Sequence, residues 1–200
     1  MTFSLHPIKQ IEPSLIAPMA RLHEASLRIL LSQMGYPFVL RYFQLAVKDP
    51  DVIGFYAMSG ENELVGYVVG TPHPDELNSR LTRPLPWFAM QCLRLLFTHP
   101  LVLWQAVVSS LTLSKQVAAD ADAIEVVYMS VDPKMRGQGL GRALMQALHD
   151  ASRAAGYKRV MGSQELDNDV SIGLLTSMGY KALYNFREGR YERQRIQLML

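Results

Sequence analysis

Hydrophobic and polar residues repeat along the chain with two periods, one typical of strands and the other typical of helices. The points at which the period changes mark the ends of the predicted strands and helices. Short runs rich in β-branched and aromatic residues predict strands at 3–9, 52–58, 64–71, 124–131, 158–163, 180–186 and 195–200. Apolar residues recurring every three or four positions predict helices at 15–34, 38–47, 87–98, 101–115, 140–155 and 168–178.

This alternation of strands and helices predicts an α/β fold. We expect a mixed central sheet of about six to seven strands with helices on both faces. The length of 200 residues favours a single domain over 1–200. Within it, residues 72–122 form a helical insertion between the third and fourth strands, which opens with Pro72, Pro74, Pro84 and Pro86.

A glycine-rich turn joins the strand at 124–131 to the helix that begins at Leu140. Pro133 ends the strand because it has no N–H for the ladder, and three glycines then let a ligand approach the backbone: Gly137, Gly139 and Gly141. The unpaired N–H groups of the first helical turn, the helix dipole and two flanking arginines, Arg136 and Arg142, favour an anion there. We therefore predict a phosphate site at this turn.

Two well-known phosphate-binding motifs do not fit this turn. A P-loop needs Gly-Lys-Ser/Thr after four spacers, and that triplet is absent. A dinucleotide fingerprint read from Gly139 would need glycine at Leu144, and no acidic residue closes a βαβ unit at the required distance.

Composition narrows the classes of partner and chemistry. A net charge of +2 without a run of Lys or Arg argues against nucleic acid. Cys92 is the only cysteine, which excludes an internal disulfide, and the five histidines show no ligand spacing, so we expect no metal. The N-terminus carries neither a basic leader nor an apolar h-region, and we expect a cytoplasmic protein.

The insertion is unusually apolar, most of all at 101–113. That run is too short for the roughly 20 apolar residues that span a bilayer, so we expect no membrane span. One interpretation is a helical unit that packs on the core or on a second copy in a homodimer. The other is a lid over an apolar acceptor, or a peripheral membrane contact through 85–113.

The turn resembles the Arg/Gln-x-x-Gly-x-Gly/Ala loop of the GCN5-related N-acetyltransferases. Arg136, Gly139 and Gly141 occupy its three defining positions. The preceding Met-Ser-Val-Asp-Pro at 129–133 is similar to the end of that family's fourth strand. The resemblance implies the family's fold and acetyl-CoA as the acyl donor, with CoA as the product.

A second stretch downstream also resembles this family. Asn168, Ser171, Gly179 and Tyr180 match its spacing of an asparagine, a small residue three positions on, and an aromatic residue after glycine. Two motifs in the family's order carry more weight than either alone. The resemblance is specific over 123–186 and only topological over 1–71, and 72–122 has no counterpart in the minimal fold.

Most of the implied cofactor contacts are made by the backbone. By resemblance, a β-bulge splays the fourth strand from the fifth, and the backbone groups of Met129 and Val131 bind pantetheine in the gap. The N–H near Met129 would polarise the thioester carbonyl, and the side chain of Asn168 would contact the cofactor. The implied loop contacts, with the amides from 138 to 142 holding the pyrophosphate, are Arg136, Gly137, Gln138, Gly139, Leu140, Gly141 and Arg142.

Transfer to an amine requires a base, because an alkylammonium of pKa about 10 is not a nucleophile. Glu125 stands six residues before Val131, where one branch of the family carries its glutamate base. The alternative for Glu125 is a carboxylate in solvent or paired with a cation, and Glu165 and Asp167 are weaker candidates for the base. A carboxylate here also suits the binding of a cationic acceptor.

One position departs from the family pattern. Many members place a tyrosine four residues before the glycine of the second motif, and this chain has Leu175 there. Four tyrosines are candidates for the missing acid, although each also fits as a half-buried strand or turn residue: Tyr128, Tyr157, Tyr180 and Tyr184. We assign no general acid.

We expect direct transfer of the acetyl group to a small-molecule or peptide amine. The alternatives are a non-catalytic acyl-CoA-binding regulatory module and a transferase that uses a longer acyl-CoA.

Overall fold

The computed structural model describes residues 2–27, 29–113, 122–188 and 191–200. Within these ranges one mixed sheet of seven strands runs through the protein. The strands are β1 Phe3–Pro7, β2 Ile53–Ser59, β3 Leu64–Thr71, β4 Ala123–Val131, β5 Arg159–Glu165, β6 Lys181–Glu188 and β7 Tyr191–Met199. They lie in the order β1-β2-β3-β4-β5-β7-β6, and only the β4–β5 pair is parallel.

Helices cover both faces of this sheet, and the predicted fold class is confirmed. They are α1 Pro13–Ser26, α2 Leu30–Met34, α3 Tyr36–Ala46, α4 Pro74–Leu81, α5 Leu85–Thr98, α6 Pro100–Leu113, α7 Leu140–Ala154 and α8 Asp169–Ser177. Residues 74–113, between β3 and β4, thus form three helices. The predicted end of the last of these at residue 115 lies outside the described residues.

The two faces of the sheet carry cores of different composition. Between α7 and the sheet the buried side chains are mainly aliphatic, and we call them the aliphatic layer: Ile124, Leu140, Leu144, Leu148 and Val160. Between α1, α3 and the sheet the largest are aromatic, and we call them the aromatic layer: Phe38, Tyr42, Phe43 and Tyr67.

Helix α7 lies very close to β3 because that strand carries two glycines. A Cβ at Gly66 would be 3.1 Å from Cδ1 of Leu144, and one at Gly70 would be 3.1 Å from Cδ1 of Leu148. Both leucines are fully buried, and burial of each side chain contributes about 1.5–3 kcal/mol. This packing fixes the position at which α7 begins.

Two parts of the helical prediction are wrong. The single helix predicted at 15–34 is two helices, because the chain turns extended at Leu27 and Ile29 before α2. Helix α1 packs along α3 and β3, whereas α2 contacts α6. One straight helix could not make both sets of contacts. The sequence also allows Ser14 as the N-cap of the first helix, but the N-cap of α1 is Glu12. Ser14 lies inside the helix, and its hydroxyl donates to the Glu12 carboxylate over 3.3 Å.

Helix α4 was not predicted although its ends carry ordinary signals. Pro74 stands in the first turn, Asp75 and Glu76 follow it, and Arg80 lies in the last turn. Arg80 also pairs with the buried Asp49 at 2.7 Å, which ties α4 to the loop after α3. None of the helices within the described ranges is long and apolar enough to cross a membrane.

Candidate functional site

Strand β4 contains a β-bulge at its centre. Tyr128 pairs with Val69 of β3, whereas the next pair joins Val126 to Gly70, so Val127 is the extra residue. As a result Val127 and Tyr128, although consecutive, both pack on the aromatic layer. A bulge of this kind bends a strand and increases its local twist.

Beyond the bulge, β4 separates from its parallel neighbour β5. The two strands pair only from Ala123 with Arg159 to Glu125 with Met161. Strand β4 continues to Val131 and β5 to Glu165, and no pairing joins these two continuations in the described residues. Their facing backbone groups form a wedge-shaped gap that an extended ligand can fill by hydrogen bonding as an added strand.

The glycine turn lies next to this gap and presents open backbone. Gly137 and Gly139 have φ values of 74° and 81°, which favour glycine, and a Cβ at either position would meet nothing within 4 Å. Gly139 is the N-cap of α7, and its carbonyl accepts the N–H of Ala143 at 3.0 Å. The N–H groups of residues 140–142 precede that bond, have no partner within the helix, and suit an anion at its N-terminus.

The other residues of the turn hold its shape. Asp132 accepts the N–H of Lys134 at 2.8 Å, and Gln138 donates through its side chain to the Lys134 carbonyl at 3.0 Å. Leu140 is fully buried, and its side chain packs in the aliphatic layer. A Cβ at Gly141 would lie 3.2 Å from Met129 Cε, so this glycine permits close packing of α7 rather than ligand approach.

The two arginines of the turn differ in availability. Arg142 donates to the hydroxyl of Ser177 at 2.7 Å and thereby links α7 to α8. Arg136 is exposed, and no side-chain partner for it occurs in the ranges that the structure covers. Of these two arginines, Arg136 is therefore the one that is free to reach a phosphate.

Asn168 is exposed and caps helix α8. Its side-chain oxygen accepts the N–H of Ser171 at 3.1 Å, an ordinary N-cap geometry. The spacing of three residues between this asparagine and a small residue therefore has a structural reason. Because Oδ1 accepts the capping hydrogen bond, Nδ2 is the atom of this side chain that is left to contact a cofactor.

Glu125 is half-buried at the last paired position before the gap, where it meets Arg195 of β7. Both carboxylate oxygens accept hydrogen bonds from the guanidinium, and the two side chains are 17% and 7% exposed. Ile124 and Val126 pack in the aliphatic layer, so strand alternation directs Glu125 toward the opposite face. Burial lowers the pKa of Arg195, but the hydrogen bonds and charge of Glu125 outweigh it and raise that pKa overall.

A buried polar cluster that the sequence reasoning missed lies beside the bulge. The Nδ1 atom of His23 is 2.6 Å from the hydroxyl of Tyr67, and its ring meets that of Tyr128 edge-on, with centroids 4.8 Å apart. Burial lowers the pKa of His23 to about 4. Its Nε2 and the hydroxyl of Tyr42 are buried with no partner among the described residues. The available signal was the spacing from Met19, which puts His23 on the buried face of α1.

Tyr180, one of the tyrosines named as substitutes for the missing acid, and Leu175, which replaces it, both have structural surroundings. Tyr180 is buried, and its hydroxyl is 2.8 Å from Nε2 of His149; burial raises its pKa. Leu175, at the position where the family pattern has tyrosine, packs against the aliphatic layer. Neither residue presents a free acid at the gap.

A sequence model described as the acetyltransferase (GNAT) family matches residues 19–180, well over half of the chain. The chain belongs to the GNAT acetyltransferase family. Among curated proteins no sequence matches it closely enough to count as a relative.

Solved GNAT structures share the fold at low identity. The ribosomal-protein-S18-alanine N-acetyltransferase from Escherichia coli is 13% identical, with a TM-score of 0.62 over 99% of this chain and 94% of that one. NAA60 from Arabidopsis thaliana, solved with acetyl-CoA, is 14% identical, with a TM-score of 0.62 over 100% and 99%. A GCN5-related N-acetyltransferase from Kribbella flavida is 13% identical, with a TM-score of 0.62 over 99% and 98%.

Family membership confirms the resemblance found in the sequence and with it acetyl-CoA as the acyl donor. The GNAT features expected around the cofactor are present, since the bulge, the gap and the open turn occur together. The individual contacts predicted for Met129, Val131, the residues of the turn and Asn168 stay predictions.

Proposed function

We propose that this GNAT protein transfers an acetyl group from acetyl-CoA to a primary amine, directly and within a ternary complex. The observation that carries the proposal is the gap between β4 and β5, which opens beside the free amides at the start of α7. Backbone groups in the gap suit an extended pantetheine, and the helix N-terminus suits its pyrophosphate.

The contacts expected with acetyl-CoA use different parts of the chain. Met129 and Val131 offer backbone groups in the gap, with the N–H near Met129 positioned to bond the thioester carbonyl. Arg136 adds a positive charge at the phosphates, and Asn168 reaches the cofactor through Nδ2. The remaining contacts are backbone contacts from the turn: Gly137, Gln138, Gly139, Leu140, Gly141 and Arg142. When bound, the cofactor supplies the activated acetyl group.

We assign Glu125 as the group that accepts the proton of the incoming ammonium. A carboxylate offers about four lone-pair sites, and the bidentate pair with Arg195 occupies two of them. The remaining two are available to an ammonium, directly or through a water molecule. Arg195 fixes the orientation of the carboxylate at the base of the gap, which favours a defined position for the acceptor.

The experiment measures CoA release with 5-thio-2-nitrobenzoate as the chromophore, using acetyl-CoA and a panel of peptide and small-molecule amines. Glu125→Gln should lower turnover at least about a hundredfold, the usual scale of general-base catalysis, with CoA affinity unchanged. Arg195→Gln serves as the matched control, because it breaks the same ion pair while keeping the base. If no amine accelerates CoA release although CoA binds, the enzyme proposal fails.

A non-catalytic acyl-CoA-binding module is the second candidate. It is favoured by the engagement of Glu125 with Arg195 and by Leu175 at the position of the family's tyrosine. Binding of CoA by the unchanged protein without amine-dependent CoA release for any amine of the panel would support it. A series of longer acyl-CoA donors in the same assay tests the third possibility, a longer acyl group held near 85–113.

The acceptor is set by parts of the fold that vary among GNAT proteins, so we propose only its class, a peptide or small-molecule amine. The single domain over 1–200 with 72–122 as an insertion, the cytoplasmic location and a homodimer stay predictions. Thermal shift with CoA present checks the acceptor, because a ligand that binds only the folded state adds stability.

A further inference from the structure

Helices α5 and α6 expose a row of large apolar side chains on their outer side. They flank the turn between the helices, and we call them the bare face: Met90, Leu93, Leu96, Phe97, Leu101 and Trp104. Each is at least half exposed, and Phe97 reaches 80%. Scattered exposed apolar residues are ordinary, but a contiguous row of this size marks an interaction surface.

The inner side of the same helices is well packed, so the exposure does not reflect a loose segment. Leu95 is 1% exposed, and the ring of Trp87 meets that of Phe38 with centroids 5.2 Å apart. The guanidinium of Arg41 lies 4.7 Å from the centre of the Trp87 ring. The packing of the inner side therefore keeps the bare face of α5 and α6 directed outward.

The charged residues of the segment that carries the bare face have one sign. No Asp or Glu occurs from 77 to 113, whereas Arg83 and Arg94 are both exposed there, and His99 stands in the turn between the helices. Arg94 also donates to the carbonyl of Met34 at 3.3 Å, which places its guanidinium beside the end of α2. An apolar row with exposed tryptophan and phenylalanine and a cationic edge is typical of helices that bind anionic lipid surfaces.

We propose that the bare face docks on the surface of an anionic lipid bilayer, with α5 and the start of α6 lying in the interface. Over the residues that the structure describes, neither helix is long enough to cross the bilayer, which agrees with peripheral binding. The proposal does not depend on the acetyltransferase proposal, because it concerns the opposite side of α5 and α6 from the core.

A second copy of the chain fits this surface less well. In a two-fold dimer the same patch meets itself. The segment from 77 to 113 of the second copy would offer Arg83 and Arg94 no carboxylate to pair with. Anionic headgroups supply that missing negative charge.

The test is flotation of the full-length protein with vesicles of phosphatidylcholine alone and with about 30% phosphatidylserine, a strongly anionic surface. We expect binding to the anionic vesicles only. Phe97→Asp combined with Trp104→Asp should lower the bound fraction at least about tenfold, since charged residues replace two apolar contacts. Arg83→Gln should lower it about fivefold at low salt.

Val170→Asp is the matched control, because Val170 is an apolar side chain 75% exposed on α8, away from the bare face. It should bind vesicles as the unchanged protein does. Thermal melts of all variants check that each is folded. Absence of binding to anionic vesicles overturns the proposal, as does a dimer in light scattering that Phe97→Asp with Trp104→Asp converts to monomer. Equal loss of binding in the Val170 variant also overturns it.

Discussion

On one side of the sheet, α7 packs with aliphatic side chains and begins at open backbone amides; on the other, α1 and α3 enclose a histidine and several tyrosines. The aliphatic layer supports the donor half of the candidate site, at Gly137 and Gly139. The aromatic layer lies beside the bulge of β4, and His23 packs against its Phe43 and Tyr67 rings. Nε2 of His23 and the hydroxyl of Tyr42 are buried there without a partner among the described residues. Glu125 and its partner Arg195 face the same side.

The comparison separates two ways of building a site. The donor half needs a backbone shape, which glycines and a helix start provide almost regardless of distant residues. We call the side of Glu125 and Arg195, where we propose that the amine binds, the acceptor half. It needs charged and polar side chains held away from water, and each must find a partner elsewhere in the chain. The acceptor half should therefore be the more sensitive to substitution and to pH.

The largest expected effect is on the Glu125–Arg195 pair. Glu125→Gln leaves a buried guanidinium without its counter-charge and should lower the free energy of unfolding by about 3 kcal/mol. The double variant with Arg195→Gln removes both charges and should recover most of that loss. Urea unfolding of the two single variants and the double variant measures the coupling. If the stability lost in the double variant equals the sum of the losses in the two single variants, the two residues are not coupled. That result would weaken the contrast between the two layers.

The second prediction concerns His23, which is neutral in the folded protein. Its pKa falls from 6.5 to about 4 on folding, so between these values the unfolded state binds a proton that the folded state does not. The free energy of unfolding should therefore decrease as pH falls through this window, by about 3 kcal/mol in all. Urea unfolding between pH 7 and pH 4 measures it.

The matched variant for this prediction is His23→Phe, which should have a shallower pH dependence even if it is less stable at pH 7. His149, whose pKa burial also lowers, contributes in the same direction and remains in both proteins. If the free energy of unfolding depends on pH equally steeply in the His23→Phe variant and in the unchanged protein, the predicted pH sensitivity of the aromatic layer is wrong.

The smallest expected effect is in the donor half. Gly139 and Gly156 stand at the two ends of α7 with φ values of 81° and 92°, and both have open space around a Cβ. Alanine at either position should cost roughly 1–2 kcal/mol of stability through the same backbone strain. Only Gly139→Ala should also weaken CoA binding, by about tenfold, as expected for one charge-assisted hydrogen bond. Calorimetric titration with CoA measures the two affinities. Equal affinity of both variants would contradict the assignment of this turn to CoA binding.

The donor half and the fold class could be predicted because their signals are local. The strand, the Pro-Gly turn and the helix at 124–156 follow one another directly, and each is specified by its own period or turn residues. Helix α4 carried local signals too, in Pro74 and the acidic residues after it, and could have been predicted. Seven strands and most helices fell within a few residues of their predicted bounds for the same reason.

The sequence by itself determined the order of elements, the open turn before α7 and the family. Only the tertiary structure decided that α1 breaks at Leu27, that Val127 is the bulged residue and that Arg195 pairs with Glu125 across 70 positions. Those features depend on which distant side chains share a face and how much water reaches them. Burial and partner choice are properties of the folded chain, so no local pattern contains them.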